Sequence, residues 1–257
     1  SGGILYNLPL YKEKGYLPDL GSVQKDIVKR SKLLLLSYPN NPTTAVAPIE
    51  FFKDVIKWAQ GRNLIVAHDN AYSDIVFDGY KAPSILEVKG AKSCAIEFHT
   101  CSKSYNMAGW RIGFVVGNAE ILRTLEKVKS YIDFGLFKAI QEAAITALTG
   151  PQQFIKQMVS TYKKRRDVFV NGLNRIGWEV DIPQATFYVW AHIPPKYSGL
   201  TSMEFSELLV REAGIAASPG TGFGEYGEGY VRFALVAEED RLREAVRRIK
   251  ALLEVQS

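Results

Sequence analysis

Cys94-Ala95-Ile96-Glu97-Phe98-His99-Thr100-Cys101-Ser102-Lys103-Ser104-Tyr105-Asn106-Met107-Ala108-Gly109-Trp110-Arg111-Ile112-Gly113 is the stretch on which the reading of the fold turns. Cys94 to His99 has the length of a strand, and it delivers Thr100 and Lys103 to the loop after it. Eight positions beyond the lysine, Arg111 opens a second strand-like run, Ile112 to Val116, closed by Gly117. In open α/β sheets ligands bind beyond the carboxyl ends of the strands. Hydroxyls, one lysine and one arginine gathered after a strand are therefore a candidate site.

Working outward, the same arrangement recurs. Leu33 to Tyr38 is a continuous apolar run ending in the turn Pro39-Asn40-Asn41-Pro42. Pro48 opens a helix through Gln60, with Phe51, Phe52, Val55, Ile56 and Ala59 on its inner side and Gly61 after it. Leu64 to Ala67 is another strand, and it brings His68 and Asp69 to its end. Apolar runs separated by helices predict an α/β sheet buried on both faces. Asn41, Asp69 and Lys103 each follow the carboxyl end of a strand, so three polar residues converge on one edge.

The later sequence changes character. Helical spacing covers Ala119 to about Tyr131, Lys138 to Leu148 and Pro151 to Asn174. Thr186 to Ala191 reads as a strand, Ser202 to Ala213 as a helix, Ile215 to Ala217 as a short strand, Tyr230 to Leu235 as a strand and Glu238 to Leu253 as a closing helix. The expected organisation is a large α/β domain over residues 1–164 and a smaller α+β domain over residues 165–257, bridged by the long helix.

Charge and composition exclude several functions. The 257 residues carry a net charge of +5. The densest basic cluster, Lys163-Lys164-Arg165-Arg166, falls within the long helical pattern and reads as its solvated face. No zinc-finger spacing or aromatic RNA-binding signature accompanies it, so nucleic acid is not an expected partner. No His/Cys/Asp spacing points to a metal. No run approaches the ~18 uncharged apolar residues of a membrane span. The start lacks the basic and apolar regions of a signal peptide. Two cysteines are too few for a disulfide framework, so a reducing cytoplasm is the expected compartment.

A lysine can form a Schiff base with a carbonyl cofactor, and nearby hydroxyls with a guanidinium can hold a phosphate. Together these point to pyridoxal phosphate (PLP). Each residue type also has an ordinary explanation. Lys103 and Arg111 could be a surface lysine and an ion-paired arginine, Asp69 a helix N-cap, Asn41 a turn residue beside proline and Tyr72 a half-buried core tyrosine. His68 reads as a support beside Asp69, and His99 and His192 as core or edge residues. Ser218 to Gly227 is glycine-rich but lacks the lysine and following helix of a phosphate loop, so it reads as an active-site loop.

Four motifs in order carry a family resemblance: Tyr38-Pro39-Asn40-Asn41-Pro42-Thr43, Asp69-Asn70-Ala71-Tyr72, the Lys103 segment with Arg111, and Val231-Arg232-Phe233. The chain resembles the fold-type I, PLP-dependent class I/II aminotransferases along its whole length. The resemblance implies a three-layer αβα large domain of the PLP-dependent transferase type with a smaller α+β C-terminal domain. It implies that Lys103 forms the Schiff base and later moves a proton, and that Asp69 pairs with the pyridine nitrogen. Asn41 and Tyr72 would donate to the ring's phenolate oxygen, Thr100, Ser102 and Arg111 would hold the phosphate, and Arg232 would grip the substrate α-carboxylate. Family members usually have serine where Thr100 stands.

The wording Glu97 to Trp110, His68 to Val76 and Ser218 to Leu235 is similar to bacterial glutamate–pyruvate (alanine) aminotransferases. LL-diaminopimelate aminotransferases share much of it, and aspartate aminotransferases are more distant. The implied reaction exchanges an amino group between an L-amino acid and a 2-oxo acid, with alanine/pyruvate and glutamate/2-oxoglutarate as the first pair. A carbon–sulfur lyase or an inactive PLP-fold module would share most of the motifs. The implied assembly is a homodimer. Only forty residues precede Asn41, so the family's N-terminal third is expected to be lacking, and with it part of the cofactor pocket.

Overall fold

Leu33–Ser37 (β1), Ile65–Asp69 (β2) and Ala95–Thr100 (β3) lie side by side in parallel, and Gly113–Gly117 (β4) closes the sheet antiparallel to β3. The computed structural model describes residues 2–254. A short helix, Lys25–Arg30 (α1), precedes β1, and Ile49–Gln60 (α2) crosses over from β1 to β2. Pro48 sets the entry to α2 with extended backbone. Phe52, Val55, Ile56 and Ala59 recur on one face of α2 and are buried, in one core with Leu34, Leu36 and Val66. Full burial of side chains this size contributes about 1.5–3 kcal/mol each for Phe52, Val55 and Ile56.

β1 departs from the expectation of burial on both faces. Leu34 and Leu36 are buried, whereas Leu33 and Leu35 are 56% and 65% exposed. The strand period sends alternate side chains to opposite faces. An unbroken apolar run shows that both faces are apolar, but it does not show what covers each one. Among the described residues nothing covers the second face at Leu33 and Leu35.

The turn between β3 and β4 is tight. The four-residue helix Cys101–Ser104 (α3) and a 3-10 turn at Ala108–Trp110 reverse the chain. Glycine is required where β4 returns: a Cβ on Gly113 would stand 2.5 Å from the His99 carbonyl oxygen, and one on Gly117 would stand 2.5 Å from that of Ala95. Ala119–Asp133 (α4) and Lys138–Thr149 (α5) follow, and then the long helix Gln153–Arg175 (α6).

The second sheet is antiparallel. Tyr188–His192 (β5) pairs with Tyr230–Ala234 (β7), which pairs in turn with the two-residue strand Ser218–Pro219 (β6). Ser202–Ala213 (α7) and Glu239–Glu254 (α8) accompany it. The strand expected at Ile215 to Ala217 is displaced to β6. Gly214 takes the left-handed conformation, and the Gly214 and Ile215 amides donate to the Val210 and Leu209 carbonyls. Those bonds end α7 and commit the residues that pattern alone assigned to a strand. An aromatic core holds this unit, with Trp178 edge-on to Phe205 and Phe233, each 5.7 Å away, and its indole N–H donating to the His192 carbonyl at 2.7 Å.

The chain divides into two compact units, one made of the residues up to Pro39 with Ala45–Lys156, the other of Asn40–Thr44 with the residues from Gln157 onward. The change falls inside α6, a little before the 164/165 boundary expected, because the helix runs on unbroken through it. The short segment around Asn41 groups with the second unit rather than with the strand that precedes it.

The basic cluster on α6 is not wholly a solvated face. Arg166 is buried, donating to Asp167 at 2.6 Å and to the Pro183 carbonyl at 2.9 Å. Arg165 reaches Glu238 at 3.1 Å and lies over the Tyr162 ring. A guanidinium tolerates burial when its planar donors are matched, which a count of charges does not reveal. Among the described residues no helix is long and apolar enough to cross a membrane, and no group of His, Cys, Asp and Glu could hold a metal ion.

Candidate active site

In the first unit, β2 and β3 deliver the candidate residues at their carboxyl ends. Thr100 ends β3 and caps α3: its hydroxyl accepts from the Ser102 amide at 3.1 Å and donates to the Ile112 carbonyl at 3.3 Å. That engagement uses its only proton, so Thr100 shapes the turn that presents Ser102 and Lys103. Lys103 lies in the last turn of α3, its ammonium 5.9 Å from the centre of the buried Tyr72 ring. The next residue, Ser104, is buried and donates to Asp74 at 2.5 Å, tying α3 to the segment that carries Tyr72.

Asp69 ends β2, half-buried, and accepts a hydrogen bond from the Ala71 amide. Burial pushes its carboxyl above the usual range, while the His68 charge, the Ala71 bond and the His99 charge pull it back. The cap-like bond is thus present, but among the described residues no basic side chain is hydrogen-bonded to the carboxylate. Arg111 takes the left-handed conformation, with φ +52°, and is exposed; its guanidinium donates to the Ala108 carbonyl at 2.9 Å. The ion-pair explanation for Arg111 finds no acidic partner among the described residues.

Behind Asp69 stands a buried network absent from the sequence reading. Glu97, 1% exposed, accepts from His68 Nδ1 at 2.9 Å, His99 Nε2 at 2.8 Å, Ser84 Oγ at 2.8 Å and the Ile85 amide at 2.9 Å. The other ring nitrogen of His68 meets the Tyr38 carbonyl at 3.0 Å. Burial opposes ionisation of Glu97, yet the bonds from His68 and His99, the His68 charge and the Ser84 bond together hold its carboxyl well below the usual range. The available signal was one acidic residue within a strand otherwise rich in apolar residues.

In the second unit, Arg232 projects from β7. Its Nη1 donates to Asn41 Oδ1 at 2.7 Å and its Nη2 to Ser218 Oγ at 3.3 Å. Its guanidinium carbon lies 4.2 Å from the Tyr188 ring and 4.5 Å from the Phe223 ring, so the cation is flanked by two aromatic groups. Its Nε is buried with no hydrogen-bond partner among the described residues. Since Asn41 Oδ1 is an acceptor here, its amide NH2 is the donor it can offer elsewhere. The glycine-rich segment carries Ser218 and Phe223. Gly220 and Gly227 pack backbone to backbone, with no room for a Cβ on either. Close approach of two chain segments, not a phosphate cradle, explains those two glycines.

These residues fit PLP by their chemistry. Lys103 offers an amine, the half-buried Asp69 a carboxylate still able to take a proton-bearing partner, Tyr72 a phenol, and Ser102 and Arg111 groups that pair with a phosphate.

The comparisons agree with the geometry. The family model for class I and II aminotransferases matches residues 1–249, and the chain belongs to that family. Class I and II aminotransferases of this kind use pyridoxal 5'-phosphate. The chain is 51% identical over 252 residues to an LL-diaminopimelate aminotransferase of Syntrophobacter fumaroxidans, covering 98% of this chain and 64% of that one. It is 46% identical over 252 residues to the glutamate-pyruvate aminotransferase AlaC of Escherichia coli, covering 98% and 61%. Among solved structures, apo BacF from Bacillus subtilis matches with a TM-score of 0.92 at 38% identity, over 97% of this chain and 63% of that one. The chain thus spans somewhat less than two thirds of the length of the relatives it matches.

Proposed function

We propose that the protein is a PLP-dependent aminotransferase that moves an amino group between an L-amino acid and a 2-oxo acid. The observation that carries this reading is the grouping of Lys103 beside Tyr72, with Asp69 at the end of the neighbouring strand, in a chain of this family. When bound, PLP supplies a carbonyl for the amine and a ring that withdraws electrons from the substrate carbon.

The chain's own residues then have distinct tasks. Lys103 Nζ holds the cofactor and, once released, takes a proton from the substrate Cα and returns it; a lysine serves both as nucleophile and as tunable base. Asp69 keeps a proton on the ring nitrogen. Tyr72 would donate to the ring oxygen, and Ser102 and Arg111 would hold the phosphate; a donor role for the Asn41 amide is what the resemblance implies. Arg232 takes the substrate α-carboxylate, and its position between Tyr188 and Phe223 fixes the plane of the fork.

We take alanine/pyruvate with glutamate/2-oxoglutarate as the first substrate pair and a homodimer as the working assembly. A second reading, with LL-diaminopimelate as donor, is favoured by the higher identity to enzymes of that name. In the full-length protein, Lys103→Ala should remove the absorption of lysine-bound cofactor and cut turnover by at least ~1,000-fold. Retention of both would sink the assignment. Conversion of bound PLP to its amine form by glutamate, in a donor screen, separates transamination from carbon–sulfur cleavage, and the preferred second donor then identifies the substrate.

A further inference from the structure

We propose that Asp74 is a positioning residue for Lys103: through the Ser104 hydroxyl it holds the turn that carries the lysine at a fixed distance from the segment that carries Tyr72. What Lys103 then does for a cofactor rests on the aminotransferase reading.

The point at which strand pairing stops is the first ground. β2 and β3 pair as far as Asp69 with Phe98, and the Asn70 amide donates to the Phe98 carbonyl at 2.9 Å. Beyond that bond the two chain segments leave the ladder, and Tyr72 lies on one of them and Lys103 on the other. The Ser104 hydroxyl, donating to Asp74 Oδ2 at 2.5 Å, joins them again. Residues 70–74 and 98–104 therefore form a ring of chain closed at both ends. Within it the lysine ammonium stands 5.9 Å from the centre of the Tyr72 ring.

The partner taken by Ser104 is the second ground. In a helix a serine or threonine hydroxyl has an acceptor close by, in the carbonyl four residues back. Thr124, Thr146, Thr149 and Ser206 use that acceptor here. Ser104 reaches out of its own turn instead, to a carboxylate thirty residues away in sequence. Its burial makes an acceptor obligatory for its proton, and a hydroxyl–carboxylate bond is about twice as strong as one between neutral groups. Asp74 is exposed, so solvent alone would satisfy its carboxylate. The bond therefore does more than meet a burial need of the aspartate.

Each arm is firm enough for the bond to act through it. On the Tyr72 arm, the Ile75 amide donates to the Tyr72 carbonyl at 3.0 Å, and both side chains are buried. Asp74 is thus held within the turn that fixes the phenol. On the Lys103 arm, a single helical turn has too few internal bonds to hold itself. Thr100 caps its start, Cys101 is buried beside Met107, Ile112 and Ala144, and the Tyr105 hydroxyl donates to Gln152 Oε1 at 2.8 Å. Those fixings lie toward β4 and α5, whereas the Ser104 bond faces the Tyr72 segment. Lys103 is the residue before Ser104, so its distance from Tyr72 follows that bond.

The test uses the full-length protein. Without cofactor, nuclear magnetic resonance should show a through-space contact between the Lys103 ε-methylene and the Tyr72 ring. The contact should be lost in Asp74→Ala and in Ser104→Ala, and kept in Asp74→Asn, which retains an acceptor oxygen. With PLP added, its capture by Lys103, followed by the absorption of lysine-bound cofactor, should slow about 10- to 100-fold in either alanine variant. The double variant should be no slower than the singles, because the two groups act through one bond. Asp74 is exposed, so its variants decide the matter if Ser104→Ala does not fold. A contact missing from the parent or unchanged in folded Asp74→Ala overturns the proposal, as does a double variant slowed by the product of the two singles. A parent that captures no PLP counts against the aminotransferase reading, and the contact measurement then decides the proposal alone.

Discussion

Asp69 carries opposed demands that mutation can separate. Burial raises its folded-state carboxyl pKa above the unfolded value. In that window the folded state binds more protons than the unfolded one, so this group's contribution to stability falls as pH rises from about 3.8 through the folded value. Asp69→Asn should therefore leave the cofactor-free protein at least as stable at pH 7 as the parent, while turnover is lost. Denaturant titrations at pH 4 and pH 7 check the sign, since the variant's advantage should be larger at pH 7. Arg232 offers a second separation. Arg232→Lys keeps the charge but loses the planar fork and the contact with two rings, so KM for amino-acid substrates should rise roughly 30- to 200-fold, as expected for about 2–3 kcal/mol of charged hydrogen bonding. Steady-state kinetics with both substrates read this directly. The places of Lys103 and Asp69 at strand ends and of Arg232 on a strand were legible in the sequence, because each sits inside a short motif. The Glu97 network was not, because His68 meets Glu97 only through strand pairing and Ser84 reaches it from a separate turn.

At the scale of elements, β3 is the organising strand. It presents Thr100 and Lys103 at its end, Glu97 within it, and a backbone so close to β4 that Gly113 and Gly117 admit no side chain. Gly113→Ala should destabilise the chain by about 2 kcal/mol or more, from a forced shift of the paired strands. Glu97 adds a pH dependence of the opposite sign to that of Asp69. Its folded-state pKa is depressed, so its stabilising contribution is complete above the unfolded value near 4.5 and is lost as pH falls below that. Acid unfolding of the parent should accordingly be steeper below pH 4.5 than that of Glu97→Gln. Most helices and strands could be read from periodicity, within a few residues at their ends. The segment at Ile215 to Ala217 could not, because the amides that end α7 decide it. Nor could the burial of Arg166, since pattern identifies a face but not whether an aspartate and a carbonyl wait on it.

The whole molecule is two units with separate cores, one built on Leu34, Phe52 and Val66, the other on Trp178, Phe205 and Phe233. The first holds Lys103, Asp69, Tyr72, Ser102 and Arg111, and the second holds Asn41 and Arg232. That division falls within one motif, with Tyr38 and Pro39 in the first unit and Asn40 to Thr43 in the second, and leaves the other three motifs whole. The exposed Leu33 and Leu35 show an apolar sheet face whose cover no residue count could specify. The central claim is the assignment of Lys103, and its most direct test is chemical. The full-length protein loaded with PLP is reduced with borohydride, digested, and its peptides are mapped by mass spectrometry. The account predicts a single phosphopyridoxyl group on Lys103; the same group on another lysine, or on none, would contradict it.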